Sequence, residues 1–187
     1  MKSKTMKKVG IWCLAIGLLM VHVLFRTTAH ASEHPQWQQF ASYSGECEIA
    51  FPTKPSFMEQ SLQLPEGKGM LHYEVYLAPF EDRKGVFMLL IATYPHTLDG
   101  GHEVAGLEGL VRGIVNHNPE NRLVFANLLQ FFEHPALTFL VQSSANYFRG
   151  QAVMVGNKLY LIAMEGRKGE LNEKTFNRFL ESFRLAD

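Results

Sequence analysis

The sequence has few cysteines and lacks the short motifs that carry common enzyme and metal chemistry. Its two cysteines, Cys13 and Cys47, are far apart, which excludes a paired-cysteine metal or redox motif. It also contains neither His-Glu-x-x-His nor Gly-x-Ser-x-Gly, the signatures of many zinc peptidases and of α/β-hydrolases. These absences favour a non-enzymatic protein, and a hydrolase of another type is the weakest hypothesis that we retain.

Acidic residues are missing from the first 31 positions, which nevertheless contain five of the 18 Lys and Arg residues. The whole chain has a formal net charge of zero, but the part from Ser32 onward holds 13 basic and 18 acidic residues and so carries −5. Such an acidic domain lacks the basic surface of nucleic-acid-binding proteins. With 47% hydrophobic and 19% charged residues, the chain is neither disordered nor a polytopic membrane protein.

The N-terminal segment has the order of an export signal. The basic stretch Met1–Lys8 precedes an apolar run from Val9 to Phe25, and Ala29-His30-Ala31 matches the small-x-small pattern that signal peptidase accepts. We therefore expect cleavage between Ala31 and Ser32, export to the periplasm, and no stable membrane insertion afterwards. The alternative is an uncleaved inner-membrane anchor, although 17 helical residues span only about 25 Å of a hydrocarbon core about 30 Å thick.

The rest of the chain is predicted to form one α+β domain. Residues 1–31 are the signal peptide, 32–45 a polar lead-in, and 46–187 a single domain without repeats or linkers. Apolar spacings of three and four predict one helix from Val104 to before Pro119 and another after the N-cap candidate Asn172. Hairpin-like connections favour an antiparallel sheet with helices packed on it, an αβα sandwich. Strands are predicted at 46–51, 57–64, 70–78, 86–94, 122–132, 137–144, 147–155 and 158–165.

Several positions carry local expectations. The pair Gly156-Asn157 between two apolar runs predicts a two-residue hairpin turn. Cys47 is expected to be a half-buried strand thiol, because no neighbouring residue would activate it. Tyr76 is expected on the solvated face of its strand. Three glycines in the first helix are expected to allow close packing on the sheet, namely Gly106, Gly109 and Gly113.

The order of three passages resembles the superfamily of PsbP, with its bacterial relatives DcrB and the Mog-type proteins. The resemblance covers most of the domain and implies an antiparallel sheet between helices, with non-catalytic work in assisting an assembly or binding a protein partner. It transfers no binding residue, because each passage is a turn or a docking helix. The passages are Phe51-Pro52-Thr53-Lys54-Pro55, the hairpin from Tyr147-Phe148-Arg149-Gly150-Gln151-Ala152 to Gly156-Asn157-Lys158-Leu159-Tyr160, and Phe179-Leu180-Glu181-Ser182-Phe183-Arg184-Leu185.

Two histidines are weak candidates for a metal site. His96 and His102 flank the turn before the first helix, with Asp99 and Glu103 close in sequence. One interpretation is a divalent metal site at this turn. The simpler interpretation is a polar helix N-terminus with a capping residue. We therefore expect no metal and no cofactor.

Aromatic residues suggest a partner patch in the second group of strands. Phe131, Phe132, Tyr147 and Phe148 crowd this part of the sequence, and adjacent strand residues such as Phe131 and Phe132 point to opposite faces. Burial of the sheet by helices on both faces is the alternative. The leading hypothesis is an exported, non-enzymatic accessory protein that binds an envelope protein through a sheet face or edge. The alternative is a carrier of a small apolar ligand held between sheet and helices.

Overall fold

The computed structural model describes residues 37–44, 46–64, 69–80, 85–95 and 100–186. The predicted signal peptide, its predicted cleavage site at Ala31 and Ser32, and His96 lie outside the described residues. Two helices and ten strands are described: β1 (Gln38–Ala41), β2 (Cys47–Phe51), β3 (Ser56–Gln63), β4 (Met70–Phe80), β5 (Gly85–Thr93), α1 (Gly100–His117), β6 (Arg122–Phe131), β7 (His134–Gln142), β8 (Asn146–Val155), β9 (Lys158–Arg167), α2 (Glu173–Glu181) and β10 (Arg184–Leu185).

Seven strands form one antiparallel sheet in the order β3-β4-β5-β9-β8-β7-β6, and β1, β2 and β10 form a second, three-stranded sheet. This confirms the α+β class and the antiparallel sheet with helices packed on it. Both ends of the large sheet are therefore edge strands, β3 on one side and β6 on the other. The central strands β8 and β9 are almost wholly buried, because both of their faces are covered.

Each face of the large sheet has its own hydrophobic core. On one face, α1 contributes Leu107, Val111 and Ile114 to the first core. On the other face, α2 and the small sheet together bury the second core, which includes Phe176 and Phe179. One covering layer is thus a helix, and the other combines a helix with a sheet.

Local sequence signals explain how the second core is closed. The β8–β9 hairpin turns at Gly156, whose φ of 59° is accessible to glycine at little cost. Asn172 caps α2 by accepting a hydrogen bond from the backbone N–H of Thr175 at 3.1 Å, as predicted. Phe176 and Phe179 then lie one turn apart and face the sheet together.

The lead-in and the C-terminal end contain structure that periodicity did not predict. Within 32–45, β1 pairs antiparallel with β2, and β10 pairs with the other edge of β2. This hairpin covers Tyr76, which is fully buried, so the expectation that Tyr76 faces solvent is wrong. Gly109 is exposed and an added Cβ there would meet no atom within 4 Å, so close packing does not explain this glycine.

Candidate binding surfaces

A cavity of about 400 Å³ opens on the sheet face beside the β3 edge. Its position follows from the small sheet, which covers the middle of this face and leaves the corner of β3, β4 and β5 open. Ser61 and His72 lie opposite each other in the β3–β4 register, with Ser61 Oγ 2.6 Å from His72 Nδ1. The lining includes Glu59, Ser61, His72, Glu74, Ile91 and Thr93.

The charge of this cavity is negative. Glu59 and Glu74 are direct cross-strand partners, and like charges in that relation repel each other. Among the residues that the structure describes, no Lys or Arg lines the cavity. Lys158, the cross-strand partner of Thr93, is paired with Glu46. The cavity therefore suits a positively charged group, and the carrier of a small apolar ligand between sheet and helices stays an untested alternative.

Exposed aromatic rings lie beside the cavity on the same face. Tyr43 is 68% exposed, and its ring centroid is 4.4 Å from that of Phe57, which precedes Glu59 by two positions on β3. The backbone N–H of Tyr43 donates to Tyr76 Oη at 2.8 Å, and that hydroxyl donates to Glu74 at 2.5 Å. Burial and this carboxylate hold the pKa of Tyr76 well above its ordinary value, so the hydroxyl keeps its proton. These two hydrogen bonds connect Tyr43, through Tyr76, to Glu74 in the lining of the cavity.

The opposite edge of the sheet exposes apolar side chains. β6 pairs with β7 on one side and ends the strand order on the other. Leu123, Val124 and Leu128 are each about half exposed, at 47%, 52% and 54%. Edge strands with exposed apolar residues are templates for pairing with another chain. This strand is the second candidate surface.

The β6–β7 turn corrects the expectation for Phe131 and Phe132. Strand β6 ends at Phe131, and Phe132 and Glu133 form the turn with φ values of 48° and 68°. The two aromatic rings are therefore not on opposite faces, since their centroids lie 4.6 Å apart in an edge-to-face contact. Phe131 packs on the second core near Phe183, whereas Phe132 is 62% exposed.

The other two residues of the predicted patch are core residues. Tyr147 belongs to the core under α2 and the small sheet, and Phe148 belongs to the core under α1. Adjacent residues of β8 point to opposite faces, and both faces are covered. The predicted patch is therefore reduced to Phe132, with Phe131 partly buried behind it.

The structure places His102 on the exposed surface of α1. Its proposed metal partner His96 is outside the described residues, so their approach is not described. Among the residues that are described, no group of three or more His, Cys, Asp or Glu side chains is arranged to hold a metal ion. The expectation of a metal-free helix entrance stays a prediction.

Cys47 is fully buried rather than half-buried. The pKa of its thiol is raised to about 11, mainly by burial and also by the charges of Glu46, Glu74 and Glu48, while a hydrogen bond with Ser42 acts in the opposite direction. A thiol that keeps its proton is a poor nucleophile. The structure therefore gives no support to a catalytic Cys47.

Sequence reasoning missed the most unusual polar group of the core, Arg149 on β8. This buried guanidinium donates through Nη1 to Thr138 Oγ1 at 2.6 Å and to the carbonyl oxygens of Phe139 and Gly150. The ring of Phe125 lies 5.1 Å away. An arginine within a largely apolar strand was the available signal, because a buried arginine needs several partners.

The class of protein follows from this arrangement of layers. A seven-stranded antiparallel sheet has one helix on one face and a helix with a small sheet on the other, which is the α+β architecture that the resemblance implied. Comparison with solved structures identifies it as a PsbP-like fold. The solution structure of cyanobacterial PsbP from Synechocystis matches with a TM-score of 0.55 at 12% identity, covering 86% of this chain and 98% of that one.

Two further solved structures match less well. One, from Bacteroides thetaiotaomicron, has a TM-score of 0.42 at 12% identity and covers 80% of this chain and 48% of that one. The other is a protein of unknown function and putative regulator from Pseudomonas aeruginosa, with a TM-score of 0.40 at 9% identity, covering 78% of this chain and 94% of that one. No family profile and no curated protein sequence matches the chain.

The described ranges of the chain contain the two helices α1 and α2. Neither α1 nor α2 combines the length and the apolar character needed to cross a bilayer.

Proposed function

We propose that the protein is an exported, non-enzymatic accessory protein of the bacterial cell envelope that binds another envelope protein. The observation that carries the proposal is the acidic cavity at the β3 edge with exposed aromatic rings beside it. The N-terminal export signal and the PsbP-like fold are consistent with this role. The partner contributes a Lys or Arg side chain, which enters the cavity between Glu59 and Glu74.

Two physical effects favour a basic side chain at this position. In the free protein the carboxylates of the cross-strand partners Glu59 and Glu74 repel each other. An ammonium or guanidinium group between them removes that repulsion. The exposed rings of Tyr43 and Phe57 offer faces that attract a cation, at about 0.5–1 kcal/mol for an exposed site. The domain charge of −5 also favours encounter with a basic partner surface.

Site-specific photocrosslinking in intact cells tests this proposal. A photoreactive phenylalanine analogue is placed at Tyr43, beside the cavity, and in a matched control at Asn177, an exposed position on α2. We expect one specific envelope protein to be crosslinked from position 43 and not from 177. The product should weaken when Glu59→Gln and Glu74→Gln are combined. The cavity would be excluded as the partner site if positions 43 and 177 gave the same crosslinked products. The same conclusion would follow if the combined Glu59→Gln and Glu74→Gln substitutions left the product from position 43 unchanged.

A further inference from the structure

We infer that β6 pairs with β6 of a second copy of this chain, which gives a symmetric dimer with one continuous sheet. The edge is long, since β6 has 10 residues from Arg122 to Phe131. Its interior contains no charged residue, so a second copy brings no like charges together along the strand. The inference is independent of the partner cavity, which lies at the opposite edge of the sheet.

The β3 edge provides the contrast. Glu59 lies in the middle of β3, and a charge within an edge strand discourages pairing with another strand. β6 instead exposes Leu123, Val124 and Leu128, each about half accessible to solvent. β3 thus carries a charge within the strand, whereas β6 carries none there, and its one register shift with β7 lies between Leu123 and Phe125, towards the start of the strand.

An edge strand pairs with its own copy around a two-fold axis when its sequence is compatible with itself. With the axis at Asn127, each Asn127 lies opposite that of the other copy, and the two side-chain amides can exchange hydrogen bonds. Ala126 then lies opposite Leu128, and the two Leu128 side chains become diagonal neighbours within contact range. In the same register Leu123 lies opposite Phe131 and Val124 lies opposite Gln130 of the second copy.

The charges at the two ends of β6 complete this pairing. Arg122 begins the strand, and Glu133 lies in the turn that follows it; both are exposed. Among the described residues neither has an ion-pair partner, and Arg122 donates to the carbonyl oxygens of Pro119 and Asn121. Antiparallel pairing places the Arg122 end of each copy beside the Glu133 end of the other. The two-fold axis thus creates two such pairs at once.

Sedimentation equilibrium of the purified protein, expressed from the full chain, measures the dimer between about 1 and about 200 µM. We expect Leu128→Lys to raise the dissociation constant about tenfold or more, because it places two like charges next to the axis. Gln63→Lys adds the same charge at the opposite edge, where Gln63 is exposed, and should leave the constant unchanged. A monomer throughout this range, or equal effects of both lysines, would overturn the inference.

A cysteine at the axis tests the register directly. Asn127→Cys places two thiols opposite each other across the strand pair, within the Cα separation that a disulfide spans. Mild oxidation should give a covalent dimer, whereas Gln63→Cys should not. Arg122→Glu should weaken the dimer and Glu133→Arg in the same chain should restore it. Absence of the covalent dimer from Asn127→Cys, or of rescue by the charge exchange, would contradict this pairing.

Discussion

The guanidinium carbon of Arg149 lies 4.4 Å from the centroid of the Phe176 ring. This contact connects the centre of the large sheet to α2, because Arg149 Nε also donates to Glu173 in the first turn of that helix at 3.3 Å. Through Nη1 the same side chain binds Thr138 on β7. One buried cation therefore joins β8 to both β7 and α2.

Replacement of Arg149 should be among the most destabilising single changes. Arg149→Ala removes the hydrogen bonds to four partner groups and leaves buried acceptors on β7 and β8, and we expect the free energy of unfolding to fall by about 3 kcal/mol. Urea unfolding measures this loss. Arg178→Ala is the matched control, because Arg178 lies 4.8 Å from the centroid of Trp37 but is exposed. Its cost should be below about 1 kcal/mol, and equal costs would contradict the role of burial.

Much of the fold could be predicted because its signals are local. The period of two in β4, the turn at Gly156 and the i, i+3 spacing of Phe176 and Phe179 each depend on a few neighbouring residues. Strands β1 and β10 could not be predicted in the same way. The two residues of β10 become a strand because β2 lies beside them, which is a long-range contact.

Two glycines should respond in opposite directions to the same substitution. Gly109→Ala on the exposed face of α1 should raise the free energy of unfolding by about 0.8 kcal/mol, since alanine has the higher helix propensity and meets no neighbour. Gly150→Ala in β8 should lower it by about 2 kcal/mol, because the new methyl group would lie 2.5 Å from Phe139 Cζ. Thermal unfolding of both variants checks the pair. A loss of stability in Gly109→Ala would contradict the open surroundings of this residue.

The turn at Phe132 and Glu133 should be strained. Side chains other than glycine, asparagine and aspartate rarely adopt positive φ, and the left-handed conformation costs about 1 kcal/mol per residue. Glu133→Gly should therefore stabilise the protein by several tenths of a kcal/mol to about 1 kcal/mol, as a shift in the urea midpoint. Gly156→Ala is the reverse control, with φ of 59°, and should destabilise by a similar amount. Destabilisation by both variants would argue against strain in the Phe132 turn.

The candidate site was harder to predict than the fold. Glu59 and Glu74 are 15 positions apart in the sequence, and only the β3–β4 register makes them direct partners. Tyr43 comes to Phe57 because the β1–β2 hairpin folds over the sheet. The aromatic cluster that the sequence predicted does not form as one surface patch, because Tyr147 and Phe148 face two different cores.

Titration of Cys47 should make stability decrease at alkaline pH. Burial raises the folded-state pKa of Cys47 from 9.0 to about 11, so the folded state retains a proton that the unfolded state releases. The stabilisation is complete below pH 9 and is lost as pH rises towards 11. Between pH 9 and pH 10 the free energy of unfolding should fall by about 1 kcal/mol more than in Cys47→Ala. Urea unfolding at both pH values checks this, and parallel behaviour of the two proteins would contradict it.

At the β3 edge, Glu59 should lower the stability of the free protein and strengthen the binding of a basic group in the cavity. Glu59→Gln removes one of two repelling carboxylates, and we expect the free protein to gain a few tenths of a kcal/mol in unfolding free energy. The same variant should bind a lysine-containing peptide about tenfold more weakly, because an ion pair in the cavity is lost. Glu170→Gln, an exposed change elsewhere, should affect neither quantity. A purely structural role for Glu59 predicts changes in stability alone, so unchanged peptide affinity in calorimetric titrations would remove the carboxylate from the binding site.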